Sequence, residues 1–154
     1  MADEPVLAIT PDDSLLHVGT PAALLTHLGD EADGGDGQGP PFEFYDRTGR
    51  RLSVAPDAAG GASLTADGPA PTDADRDLLL ARIDVFQAAV ARLLAHDVAT
   101  GIAAGDPSAR LRAPWVRGEL PDVLDTLAVL GGLPDPTEPN AGTPLHNLWH
   151  RVFG

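Results

Sequence analysis

The longest periodic pattern in this chain lies in its middle and predicts a helix of about seven turns. Large apolar residues recur there at spacings of three and four, which places them on one face of a helix. Thr72 precedes Asp75 by three residues, as in a capping box with aspartate in place of glutamate. We therefore expect a helix from Thr72 to about Val98, with its apolar face buried against another layer. The residues of that face are Leu79, Ile83, Phe86, Val90 and Leu93.

The first half of the chain carries short segments that are typical of strands. Residues 5–10 and 15–18 are apolar runs separated by a Pro-Asp-Asp-Ser cluster, which predicts a hairpin. Residues 42–45 and 51–54 flank a turn whose glycine can adopt the left-handed conformation that closes such hairpins. A weaker strand over residues 62–65 extends the predicted antiparallel sheet.

One short helix is expected among these strands. Thr20 supplies a capping hydroxyl, and Pro21 is favoured at the first helical position. The pair predicts a helix over residues 22–28 that ends at Gly29, because glycine is a frequent helix terminator. Its apolar residues, which we expect to face the sheet, include Leu24, Leu25 and Leu28.

Helices dominate the second half of the chain. Residues 120–130 have helical apolar spacing and a proline in the first turn, and a second Thr-Pro pair predicts a last helix over residues 143–153. Strands thus come first and helices second, which favours an α+β fold over an alternating α/β fold. We expect a small N-terminal antiparallel sheet with one short helix, followed by a helical C-terminal half packed on it.

Three segments read as connections within one domain of 154 residues. Residues 29–41 consist mainly of Gly, Asp, Glu and Pro, which predicts a mobile acidic loop because few of its side chains can join a core. Residues 67–71 and 134–142 are proline-rich and are expected to be linkers. The 43% content of apolar residues is enough for the remaining segments to share one core.

The charge balance points to the kind of partner. Acidic residues number 23 against 10 basic residues, and the formal net charge is -13. This field repels a phosphate backbone, so we expect no nucleic-acid binding. It would attract another protein with a basic surface. The alternative interpretation is that the acidity reflects a GC-rich genome or adaptation to salt.

Two residue types, cysteine and lysine, are missing, and their absence excludes whole classes of chemistry. The chain has no cysteine, so it forms no disulfide and no thiolate metal site, and its basic residues are all arginine, so no lysine can form a Schiff base.

No apolar run is long enough to span a membrane, and the first residues lack the basic and apolar regions of a signal peptide. We expect no membrane association and a cytoplasmic location.

A local basic island in the last third of the chain is the predicted partner-binding site. Arg110, Arg112 and Arg117 surround Trp115. Arginine and tryptophan often dominate protein interfaces, and arginine can hold a carboxylate through two hydrogen bonds. The competing interpretation is that Trp115 fills the core while the arginines pair with the surplus of aspartates.

The most specific candidate for a chemical site is a pair of histidines. His146 and His150 are four apart on the predicted last helix, so both imidazoles would project from one face and could bind one divalent metal such as zinc. The next residue, Asn147, stands where a zinc peptidase needs a glutamate general base, which disfavours peptidase activity. The competing interpretation is an amphipathic helix with both histidines at its edge.

The functional prediction follows from charge, composition and the lack of a catalytic motif. We expect a small acidic protein-interaction module without catalytic activity and without a cofactor: an immunity-type inhibitor, an accessory chaperone or a regulatory subunit. The first alternative is a metal-binding protein or metal-dependent enzyme that uses His146 and His150. The second alternative is a self-associating structural domain.

Overall fold

The sheet and the helices occupy successive parts of the chain, as expected for an α+β fold. A computed structural model describes residues 4–33, 42–100 and 116–131, with side chains described within 4–28, 42–92 and 116–129. The elements in chain order are β1 Val6–Ile9, β2 Leu16–Gly19, α1 Pro21–Asp33, β3 Glu43–Tyr45, β4 Arg51–Pro56, β5 Ala62–Ala66, α2 Asp73–Thr100 and α3 Leu120–Gly131. The α+β prediction is confirmed.

The five strands form one sheet in the order β2-β1-β3-β4-β5, and all neighbours are antiparallel. Both predicted hairpins and the weaker strand are therefore confirmed. Helix α1 connects β2 to β3 across the sheet, so β3 pairs with β1 on the side opposite β2. This crossover makes β1 an interior strand, with Ala8 opposite His17 on one side and Phe44 on the other.

Strand β1 is buried on both faces, because helices cover it from two sides. Val6 and Ala8 pack with Leu24 of α1 on one face. Leu7 and Ile9 lie on the other face, in the core formed with α2 and α3. The alternation of side chains along a strand sends neighbouring residues into different layers, which explains why β1 is a continuous apolar run.

Helix α2 buries the apolar stripe that its sequence predicts. Leu79, Ile83, Phe86 and Val90 are all buried in the same cluster as β1 and β2, and the side chain of Leu93 lies outside the described residues. Helix α3 joins this cluster through four residues at helical spacing, which are Leu120, Val123, Leu124 and Leu127. The C-terminal helices thus pack on one face of the N-terminal sheet.

Helix α1 is longer than predicted. It continues through Gly29 and ends at Asp33, so residues 29–33 are helical and do not belong to a loop. An interior glycine costs a helix only about 1 kcal/mol relative to alanine, and here it does not end the helix. The remainder of the predicted acidic loop, residues 34–41, lies outside the described residues, as do the linker at 134–142 and the last predicted helix.

The turn between β3 and β4 fixes the positions of both later helices. Gly49 has a φ of 87°, and a β-carbon there would lie 3.0 Å from the side chain of Leu120, so glycine allows both the turn and the close approach of α3. Arg47 forms an ion pair with Asp125 of α3. Arg76 of α2 donates from Nε to the Thr48 carbonyl oxygen at 3.1 Å.

The predicted capping box opens α2. The Thr72 backbone N–H donates to the Asp75 carboxylate at 2.8 Å, and the Asp75 N–H donates back to the Thr72 hydroxyl at 3.3 Å. The hydroxyl of Thr72 also donates to this carboxylate, and the two bonds that the carboxylate accepts from Thr72 lower the pKa of Asp75. Residues 67–71, which precede the box, contain no helix or strand.

The β1–β2 turn depends on one ionised carboxylate. Asp12 accepts hydrogen bonds from the Ser14 hydroxyl at 2.7 Å, the Thr10 hydroxyl at 2.7 Å and the Ser14 backbone N–H at 3.1 Å. These bonds lower the pKa of Asp12 to about 2. The next residue, Asp13, has a φ of 59°, a conformation that this turn holds in place.

We predict that Asp12→Asn lowers the melting temperature at neutral pH and has less effect in acid. Because the pKa of Asp12 is lower in the folded chain, its stabilising effect is complete above the ordinary value of 3.8 and is lost as pH falls through about 2. Thermal unfolding of both proteins, from neutral pH down to about pH 2, measures the difference between their melting temperatures. A difference that stays constant across this range would show that the charge of Asp12 contributes nothing.

Candidate partner-binding surface

Helix α2 carries a second apolar stripe opposite the one that it buries. At 3.6 residues per turn, this stripe lies roughly half a turn of the helix from Ile83. We call it the outer face. Its members recur at spacings of four and three, and they are Ala74, Leu78, Ala81, Val85 and Ala88.

The outer face is exposed, although its composition resembles that of a buried face. We call the buried stripe of α2 that contains Ile83 the inner face. Leu78 is 64% exposed and Val85 is 54% exposed, whereas Ile83 is 1% exposed. The three alanines are exposed as well. Single exposed apolar residues are ordinary, but five aligned over four turns of one helix form a continuous surface. A helix that is apolar on two opposite sides normally buries both.

Carboxylates border this surface on one side. Asp73, Asp77 and Asp84 are exposed and lie four and seven residues apart, so they share one side of α2. We call them the acidic edge. Asp73 pairs with Arg76 within the first turn of the helix. The acidic edge separates the outer face from a groove between α2 and the start of α3.

The groove has a volume of about 210 Å³. Two hydrogen bonds between Gln87 and Val116 hold the side of the groove that is formed by the segment before α3. Buried Gln87 donates from Nε2 to the Val116 carbonyl oxygen at 3.2 Å and accepts from the Val116 N–H at 3.1 Å. The side-chain amide thereby satisfies both backbone groups of Val116, as a neighbouring strand would, and it fixes Val116 against α2. Asp84 and Arg117 both line the groove.

Arg82 lies on the side of α2 away from the acidic edge and ties the helix to the sheet. It donates to Asp13 at 2.7 Å, to Glu43 at 2.8 Å and to the Thr10 carbonyl oxygen at 2.9 Å. Burial disfavours its charge, but the hydrogen bonds to Asp13 and Glu43 outweigh burial and raise the pKa of Arg82. This cluster fixes the rotation of α2 about its axis, so the outer face stays turned away from the sheet.

A second cavity, of about 320 Å³, lies beside the linker at residues 67–71. Its charged side chains already have partners within the chain. Arg50 donates to the Gly68 carbonyl oxygen at 2.8 Å, and Asp67 accepts from Ser53 at 2.7 Å. Because these bonds would compete with a ligand, we favour the surface on α2.

The structure describes only one residue of the partner-binding site that the sequence predicts. Arg117 is exposed and lines the groove, next to the acidic edge. Arg110, Arg112 and Trp115 lie outside the described residues, so the predicted basic island stays a prediction. Arg117 therefore lies across the acidic edge from the outer face and is not part of that face.

The histidine pair lies wholly outside the described residues. Within residues 4–33, 42–100 and 116–131, no group of three or more histidine and acidic side chains could hold a metal ion. A zinc site at His146 and His150 therefore stays a prediction from sequence, which elemental analysis of untagged protein would test. Within the same ranges, no helix has the length and the apolar character needed to cross a bilayer.

Comparisons with family models, curated proteins and solved structures find no match for this chain. The chemistry of the chain's own surface is therefore the basis for proposing a function. The outer face was missed in the sequence because one apolar stripe already accounts for a helix. The signal that reveals it is a second series at four-three spacing in the same segment, offset from the first.

Proposed function

We propose that this chain is a small acidic protein-interaction module without catalytic activity, and that it binds another protein through the outer face of α2. The observation that carries the proposal is the exposure of Leu78 and Val85 within an aligned stripe of five apolar residues. An immunity-type inhibitor, an accessory chaperone and a regulatory subunit would each use such a surface, because each acts by binding. The net charge of -13 supports a basic partner.

Burial of the outer face would supply a useful free energy of binding. Covering apolar surface contributes about 25 cal/mol per Å², which is about 1.5 to 3 kcal/mol for a leucine or valine that goes from exposed to buried. Leu78 and Val85 are each more than half exposed, so both retain most of this gain for a partner. The inner face and Arg82 already hold α2 in place, so binding requires no ordering of the helix.

Photo-crosslinking in the native host tests this proposal. A photoreactive residue at position 85 is expected to give a covalent adduct of one discrete mass, because the partner covers that position. The same residue at position 58, in the exposed β4–β5 turn, serves as the control and should give no such adduct. Adding Leu78→Asp to the chain with the probe at position 85 should abolish the adduct, since it places a charge in the apolar contact.

Two results would contradict the proposal. Adducts of equal yield from positions 58 and 85 would indicate nonspecific proximity. An adduct that survives Leu78→Asp would show that binding does not depend on apolar contact with the stripe.

A further inference from the structure

We infer that the partner presents an amphipathic helix of at least about four turns, with small and apolar residues at its centre and Lys or Arg along one side. This inference rests on the proposed function and specifies the chemistry that the outer face selects. It follows from the spacing of the stripe, from the position of the acidic edge and from the ion pairs that Arg82 already makes within the chain.

The spacing of the outer face fits a helix better than any other element. Its residues repeat every 3.5 positions on average, the period at which two helices keep one seam in contact with a crossing angle of about 20°. Every seventh position is alanine, at Ala74, Ala81 and Ala88, which lets a second helix approach closely. From Ala74 to Ala88 the stripe covers 15 residues, and its ends are about 21 Å apart along the helix.

The charges beside the outer face differ between its two sides. The acidic edge offers exposed carboxylates at Asp77 and Asp84 on one side. On the other side the charge of Arg82 is already paired with Asp13 and Glu43. The carboxylate of Asp75, also on that side, is already hydrogen-bonded within the capping box. A partner helix with basic residues on one side only would therefore find complementary charges in one orientation.

A second copy of this chain fits the surface poorly. In an antiparallel pair of α2 helices, the two acidic edges would face each other and repel. In a parallel pair, each acidic edge would face the side of Arg82, where the charge is already neutralised by Asp13 and Glu43. Each copy also carries a net charge of -13, which opposes association.

Two synthetic helices of about four turns test the inference. They share a leucine and alanine stripe at four-three spacing and differ only in having lysine or glutamate along one side. The affinity of each for the full chain is measured by titration calorimetry at low salt. The lysine helix should bind the unmodified chain more tightly, and the preference should weaken as salt is added.

Charge reversal on the acidic edge provides the decisive comparison. Asp77→Lys with Asp84→Lys should weaken binding of the lysine helix about tenfold and strengthen binding of the glutamate helix, because two exposed attractions become repulsions. The matched control combines Glu4→Lys with Asp122→Lys, which makes the same change in net charge at two other exposed acidic positions. The control should change both affinities much less.

The outcomes separate this inference from the function on which it rests. The inference of a basic partner helix would be overturned if the double variant and its control changed the two affinities equally. It would also be overturned if the lysine helix bound with a dissociation constant above about 1 mM. A doubled solution mass of the unmodified chain that Val85→Asp abolishes would identify a second copy as the occupant and overturn the inference. If the crosslink from position 85 persists in these cases, the outer face is still a binding surface, and only the chemistry inferred for the partner is wrong.

Discussion

Ile83→Asp is expected to unfold the protein, whereas Val85→Asp, two residues further along the same helix, should leave it folded. Ile83 is 1% exposed in the core between α2 and the sheet. Aspartate there would remove apolar packing and bury a carboxylate without a partner, at a cost of about 5 kcal/mol or more. That cost approaches the total stability of a typical domain.

Val85 provides the matched comparison, because it is 54% exposed on the outer face. Valine and aspartate have similar helix propensities, and exposed substitutions usually change stability by less than about 0.5 kcal/mol. Circular dichroism at 222 nm during heating measures both variants. A cooperative transition near that of the unmodified chain for Ile83→Asp, or loss of the fold in Val85→Asp, would contradict the two-faced description of α2.

Arg82→Met should destabilise the fold by about 2 to 4 kcal/mol. The substitution keeps much of the side chain's length but removes its contacts with Asp13, Glu43 and the Thr10 carbonyl oxygen. The side chains of Asp13 and Glu43 are only 20% and 24% exposed, so both carboxylates would lose their partner in a poorly solvated place. Breaking a fully buried ion pair costs about 3 to 5 kcal/mol, and partial exposure reduces this figure.

Arg92→Met on the same helix is the control, because Arg92 is exposed. It should change stability by less than about 0.5 kcal/mol. Urea unfolding at neutral pH measures the stability of both variants. Equal stability of the two variants would show that Arg82 does not fasten α2 to the sheet.

Much of the fold could be predicted because its signals are local. Thr72 and Asp75 lie within one turn, and their capping box forms as expected. Thr20 likewise caps α1, where its hydroxyl accepts from the Ala23 N–H at 3.3 Å. The turn glycine Gly49 and the inner face of α2 also follow from short spacings. The end of α1 could not be placed, because an interior glycine is only mildly unfavourable in a helix and here α1 extends past Gly29.

The contacts that position the candidate site lie beyond the range of sequence patterns. Arg82 meets Asp13 across 69 positions and Glu43 across 39 positions, and Gln87 meets Val116 across 29 positions. None of these pairs has a periodic signature, since each depends on how the helices pack on the sheet. The outer face has a signature, but only the structure shows which of the two stripes on α2 is buried.

The reactivity of a single thiol tests the central claim most directly. The chain contains no cysteine, so Val85→Cys introduces one thiol on the outer face, and Ala58→Cys introduces one in the exposed β4–β5 turn. We expect both thiols to react with a maleimide at similar rates in purified protein. In host cells, the thiol at position 85 should react at least about tenfold more slowly than the thiol at position 58, since a partner that occupies the face nine-tenths of the time protects it to that extent. Equal rates in cells, or slow reaction at position 85 in the purified chain, would contradict an outer face reserved for another protein.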